Sequence, residues 1–235
     1  MKTSNKIIIA FVLFILSGMI ILFADSKKHH QQMKDIYSYK EFPLPAFSVV
    51  VAHKGSDLHL DQLDTRSIKV QYDKSKPTPS KLYEVVNDTL HVYSGLRLFV
   101  TCENITALIG NKPFWVGVNN FTPDSLTIQM NGGALFVNCF GYAERKGEHK
   151  QVNLSLQATD SAYVELRKID LRNFTVESNN AEVNAYCKAK NAAVKLENHA
   201  QVFSYDNFDK LAVEKDTTSR FKSNYVRVLY QNARN

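Results

Sequence analysis

The chain has 235 residues, 44% of them hydrophobic and 22% charged, values that suit a single globular domain and exclude a disordered polymer. Its net charge of +6 is concentrated at one end, because residues 1–34 carry Lys2, Lys6, Lys27, Lys28 and Lys34 against Asp25 alone. The remainder, with 24 basic and 22 acidic residues, lacks the charge excess that a nucleic-acid-binding face requires, so nucleic acid is excluded as a partner.

Residues 1–24 read as a membrane anchor or signal segment. Ile7–Ala24 is an uncharged apolar or small run at the lower length limit for a bilayer-spanning helix. Leu22-Phe23-Ala24 is a poor cleavage site because Leu22 is bulky where a small residue belongs, which favours an uncleaved anchor over a removed signal peptide. Residues 25–40 form a polar stalk, in which His29-His30 is a solvated pair without further ligands.

Residues 41–235 are the folded domain. Its first part, 41–100, reads as an N-terminal cap with the first strands. Phe47–Ala52 is a β-branched run closed by the turn Lys54-Gly55-Ser56-Asp57, and Leu58-His59-Leu60 and Ile68–Tyr72 alternate at period two. Residues 73–80 make a proline-containing loop, and Asn87-Asp88 reads as a hairpin turn between Leu82–Val86 and Leu90–Tyr93.

From 101 to 235 a repeat of about 19 residues takes over. Leu154-Ser155-Leu156-Gln157, Phe174-Thr175-Val176-Glu177, Ala192-Ala193-Val194-Lys195 and Leu211-Ala212-Val213-Glu214 begin 20, 18 and 19 residues apart. Leu126-Thr127-Ile128-Gln129 stands 28 residues before the first of them, the excess being a polar insertion at 141–151. Each unit continues through an Asn-, Asp- or Gly-containing corner into a second short strand, as at Ala134-Leu135-Phe136 and Ala181-Glu182-Val183. Superposed units give inward columns Leu126, Leu154, Phe174, Ala192, Leu211 and Ile128, Leu156, Val176, Val194, Val213. The outward columns are small (Thr127, Ser155, Thr175, Ala193, Ala212) or carry charges of alternating sign (Gln129, Gln157, Glu177, Lys195, Glu214). Columns of this kind are what strands stacked one coil above another require. The expected fold is all-β, a single-stranded right-handed parallel β-helix, with Tyr225–Tyr230 as its last strand.

The chemistry-bearing motifs are few. There is no G-x-S-x-G, H-E-x-x-H, P-loop or G-x-G-x-x-G, so no enzyme, cofactor or metal is expected. Cys102, Cys139 and Cys187 read as small buried residues rather than a disulfide framework. The expected ligand-binding residues are Arg167, Tyr186 and Tyr205, in an outward column with Cys139. Tyrosines beside a guanidinium suit stacking on a sugar or peptide. Sequons at Asn87, Asn104, Asn120, Asn153 and Asn173 would read as glycan acceptors in a secreted eukaryotic protein and as by-products of Asn- and Thr-rich turns in a bacterial one.

Phe47–Val51, Asp57–Leu60, Asn87–Val92, Asp124–Ile128 and Gly132-Gly133-Ala134 together resemble the bacterial "putative auto-transporter adhesin, head GIN" domain over about residues 45–215. The resemblance implies a β-helix in the Bacteroidetes cell envelope. Its members usually follow a signal peptide or lipobox, and the expected anchor here departs from that, placing the domain in the periplasm behind an inner-membrane anchor, or released if the segment is cleaved. It also implies a non-catalytic adhesion, interaction or structural role, with the membrane as one partner and a glycan or another envelope protein as a second. The rival reading is a carbohydrate-active β-helix enzyme, a polysaccharide lyase or hydrolase.

Overall fold

The computed structural model describes residues 3–73, 81–93, 96–138, 142–143, 148–149, 151–223 and 229–230, and the side chains within 11–28, 37–72, 81–93, 96–138 and 151–223. Cys139, the side chains of His29 and His30, the proline-containing loop from residue 74 and most of the 141–151 insertion lie outside them, as does the expected last strand except Leu229–Tyr230. Two compact units are formed, Met1–Tyr39 with Tyr72–Thr78, and Lys40–Gln71 with Pro79–Asn235.

The first unit contains helix α1 (Thr3–Ile36). The helix continues through most of the segment expected to be a polar stalk. Among the described residues no helix is long and apolar enough to cross a membrane, so the expected spanning anchor is not met there.

The rest of the described chain is β-structure, and the second unit is made of it. Strand β1 (Tyr37–Pro43) is followed by β2 (Val49–Ala52), β3 (Asp57–Gln62), β4 (Ser67–Asp73), β5 (Tyr83–Val86), β6 (Thr89–Val92) and β7 (Arg97–Cys102). Next come β8 (Ala107–Asn111), β9 (Trp115–Asn119), β10 (Ser125–Asn131), β11 (Ala134–Asn138), β12 (Tyr142–Ala143), β13 (Glu148–His149) and β14 (Val152–Thr159). The chain closes with β15 (Tyr163–Asn179), β16 (Glu182–Glu197), β17 (Gln201–Ser204), β18 (Phe208–Lys215), β19 (Arg220–Ser223) and β20 (Leu229–Tyr230).

Most of these strands pair in parallel, in two ladders. The first runs β6, β2, β8, β10, β14, the second half of β15, the second half of β16, β18 and β20. The second runs β7, β3, β9, β11, the first half of β15, the first half of β16, β17 and β19. β15 and β16 each serve both ladders; in β15, Lys168 at φ 51° is the extra residue where the register shifts between Arg167 and Ile169. The repeat columns meet as the sequence arithmetic requires: Leu126, Leu154, Phe174, Ala192 and Leu211 are successive partners and all are buried.

Left-handed residues make the corners. Gly132 and Gly133, Asp160 and Ser161, Asn180, and Asn198 and His199 all have positive φ, which lets the chain turn between ladders within two or three residues. At the last corner the Asp216 carboxylate accepts from the Asn198, Thr218 and Ser219 N–H groups at 2.7, 3.0 and 2.8 Å. Bonds from Ser219 and the Asn198 N–H hold that carboxyl well below the usual carboxylate range.

The stacking order departs from chain order at the N-terminal end. β2 and β3 lie between the β6–β7 coil and the β8–β9 coil, so they are an inner layer rather than a cap. The end is covered instead by antiparallel strands, β5 on β6 and Ser67–Gln71 of β4 on β7, which makes the sheet mixed. An antiparallel partner satisfies the outermost ladder without offering another parallel layer. The β5–β6 turn is the one expected at Asn87-Asp88, both at positive φ.

Candidate functional site

Outward residues of the second ladder form the most feature-rich face. Arg167 and Tyr186 are register partners, and Tyr205 follows Ser204, the partner of Ala185. The structure therefore brings together the three expected ligand-binding residues. The Tyr186 and Tyr205 rings stack with centroids 4.2 Å apart and planes 5° from parallel, and the Arg167 guanidinium lies over Tyr186 at 5.7 Å. The fourth position, expected for Cys139, belongs to Asn138, the register partner of Arg167. The missing shift of one residue comes from the corner before β11, which the repeat spacing does not fix.

Tyr186 is thus occupied on both faces, and what it offers outward is ring edge and hydroxyl. Burial and then the Tyr205 hydroxyl push the Tyr186 phenol up, so it is a neutral hydrogen-bonding group at neutral pH. Arg167 is anchored by an ion pair with Glu165. Glu165 is outward-facing yet only 7% exposed, and it also accepts the Tyr163 hydroxyl at 2.9 Å.

Sequence reasoning missed an aromatic stack lower on the same face. Phe99 packs on His59 (centroids 4.7 Å), His59 on Trp115 (4.3 Å), Trp115 on Phe136 (5.5 Å) and Phe136 on Tyr163 (5.8 Å). Gly117 makes it continuous, since a Cβ there would strike the Trp115 indole, which fills that layer in its place. The available signal was an aromatic or histidine at an outward position of each second strand. Burial lowers the His59 pKa, with Asp57 opposing at 3.4 Å.

The first ladder's outer face is polar. Asn191 donates to Asn173 at 3.0 Å and Asn173 to Asn153 at 2.8 Å, so two of the sequon side chains are members of an amide ladder. Beside it, a shallow depression of about 210 Å³ has Thr175, Ala193 and Ala212 as its floor and Glu177, Lys195 and Glu214 as its wall. Lys195 is held at 3.0 Å by Glu197, and the wall's charges alternate. The wall assembles no pair of acids without an intervening base.

No group of three or more His, Cys, Asp or Glu side chains converges as a metal site among the described residues. Cys102 and Cys187 are buried free thiols; burial pushes the Cys102 thiol up to about 12 and the Cys187 thiol higher still, so neither is a nucleophile at neutral pH. His53 and His91 meet at the end of the first ladder, with His53 Nε2 and His91 Nδ1 3.1 Å apart.

No protein-family model matches the chain, and no curated protein matches it. Solved structures do. A "putative adhesin" from Bacteroides fragilis NCTC 9343 aligns with TM-score 0.55 at 10% identity, over 84% of this chain and 97% of that one. A "putative adhesin" from Parabacteroides distasonis ATCC 8503 gives TM-score 0.51 at 12% identity over 83% and 94% of the two chains. A "putative lipid binding protein" from the same organism gives TM-score 0.51 at 13% identity over 84% and 95%. At these identities the likeness is one of fold: the chain is similar in architecture to these proteins of Bacteroidetes.

Proposed function

We propose that this chain is a non-catalytic interaction module of the bacterial cell envelope, built from coils of a right-handed parallel β-helix of the head GIN type. The N-terminal segment associates it with the membrane, or exports it if removed. The observation that carries the reading is the Arg167–Tyr186–Tyr205 stack, because its faces are packed on one another and its ring edges and hydroxyls are offered at the surface rather than aimed into a cleft. Planar groups held rigid by mutual stacking recognise a partner at little conformational cost. The structural neighbours described as adhesins support an adhesive role. A surface glycan is the partner best suited to a face of hydroxyls, a guanidinium and ring edges.

The test is binding of the wild type and of Tyr186→Ala/Tyr205→Ala to an array of envelope and host glycans, with circular dichroism as the folding control. The double variant is expected to lose at least tenfold in affinity while keeping its β-spectrum; unchanged binding would overturn the assignment. The rival, a carbohydrate-active enzyme, draws on Glu165, Tyr163 and Arg167 as a cluster of the right chemical types. Turnover of a bound glycan that Glu165→Gln abolishes would replace the binding reading with that one.

A further inference from the structure

The end of the stack carries a cluster that no recognition role uses. His53 lies just past β2 and His91 lies in β6, so the two imidazoles belong to adjacent layers, the terminal coil and the one above it. Their facing nitrogens are 3.1 Å apart, a hydrogen bond in which one ring supplies an N–H and the other a lone pair. Tyr93 stacks on His53 with centroids 4.7 Å apart and planes 7° from parallel. The Tyr93 hydroxyl bonds to Glu84, whose strand position is directly opposite His91 in the covering strand β5. Lys81, ahead of β5, pairs with Glu84 at 2.7 Å and lies over the Tyr93 ring at 4.8 Å. One connected set of side chains thus joins β2, β6 and β5.

We propose that the His53–His91 pair is a proton-operated latch that fastens the terminal coil and its covering strand to the body of the stack. The single shared proton makes it so. A first added proton leaves an imidazolium donating to a neutral imidazole; when the second ring is protonated as well, two N–H groups face each other across 3.1 Å and the bond is lost. A second positive charge then stands beside the first, with few compensations. Glu84 is the one carboxylate of the cluster, and it is committed to Lys81 and Tyr93. The Tyr93 face turned to His53 offers a partial cation–π offset, but the same ring carries the Lys81 ammonium. From the side of β8, Lys112 contributes its carbonyl to the Gly55 N–H and pairs its ammonium with Asp160 at 3.5 Å, and Lys54 is the chain neighbour of His53. Among the described residues, Glu84 is the acid whose charge acts on His53.

Burial, and then the charge of His91, lower the His53 pKa. The sign follows: a histidine kept neutral in the fold contributes stability above the unfolded value of about 6.5, and that contribution fades as pH falls below it. The latch is closed at neutral pH and opens in mild acid, releasing the β5–β6 edge.

Hydrogen exchange of the Glu84, His91 and Val92 amides, corrected for intrinsic rates, tests this on the full chain at pH 7.5 and 5.5. Protection is expected to fall severalfold between the two pH values in the wild type, with the Leu156 and Val176 amides unchanged. In His53→Gln, protection at these amides is expected to be already low and nearly independent of pH. A wild-type protection that does not change with pH, or an equal change in His53→Gln, overturns the proposal. A loss of protection produced at pH 7.5 by a chelator alone also overturns it, in favour of a bound metal. Should His53→Gln fail to fold, the ring resonances of the wild type and of His91→Ala decide: the His53 midpoint should lie below 6.5 and rise when His91 is removed, and an unmoved midpoint rejects the coupling.

Discussion

Single residues in this chain do their work through backbone angle and ring placement more than through reactivity. Gly133 is the sharpest case. It adopts φ 78°, and a Cβ at that position would press into the Pro113 carbonyl oxygen of the neighbouring corner, a backbone atom that has nowhere to move. Gly133→Ala is therefore expected to cost about 2–4 kcal/mol, combining left-handed strain with a backbone clash, read as a lower midpoint in urea denaturation. The sequence signalled the corner through Gly132-Gly133 and the Asn and Asp residues of the other corners. It could not signal Gly117, because the reason for that glycine is an indole folded back over it from Trp115. The same limit applies to Tyr186: its exposed ring was readable, but its loss of both faces to Arg167 and Tyr205 depends on the distance between coils.

At the scale of an element, alternation decides which changes matter. β14 presents Leu154, Leu156 and Ala158 inward and Ser155 and Gln157 outward, with burial alternating accordingly. Leu156 is 1% exposed and stacked between Ile128 and Val176. Leu156→Ala is expected to destabilise by about 2–5 kcal/mol, whereas Ser155→Ala next to it should change stability by less than about 0.5 kcal/mol, both measured by chemical denaturation. A comparable cost for the two would mean that β14 is not in the register described. These columns were legible beforehand because parallel in-register stacking repeats one environment per coil, so a spacing of 18 to 20 residues carries the geometry with it. β8 and β9 escaped notice as a coil because Gly110 and Gly117 stand where the pattern expects larger side chains. Met130 and Trp115 fill those spaces from neighbouring positions.

Across the whole molecule, the order of the layers is the feature that period alone does not encode. Asp61 has Thr101 as its register partner on one side and Asn119 on the other, so Thr101 and Asn119 are two layers apart, about 9.6 Å at the usual ladder spacing. Asp61→Cys with Thr101→Cys is therefore expected to form a disulfide on mild oxidation. Thr101→Cys with Asn119→Cys is expected to remain reduced, since it exceeds the roughly 7 Å reach of a bridge. Mass spectrometry of alkylated protein distinguishes the two, and a bridge in the Thr101→Cys/Asn119→Cys variant would restore chain order to the stack. The amino-acid sequence by itself determined the β class, the repeat columns, the left-handed corners and the outward positions of Arg167, Tyr186 and Tyr205. It did so because alternation and coil length are local quantities. Only the tertiary structure decided that β2 and β3 are an inner layer under an antiparallel cover, that the aromatics stack on one another, and that His53 meets His91. Those outcomes depend on which layers become neighbours, and adjacency between distant segments is settled by the packing of the whole stack.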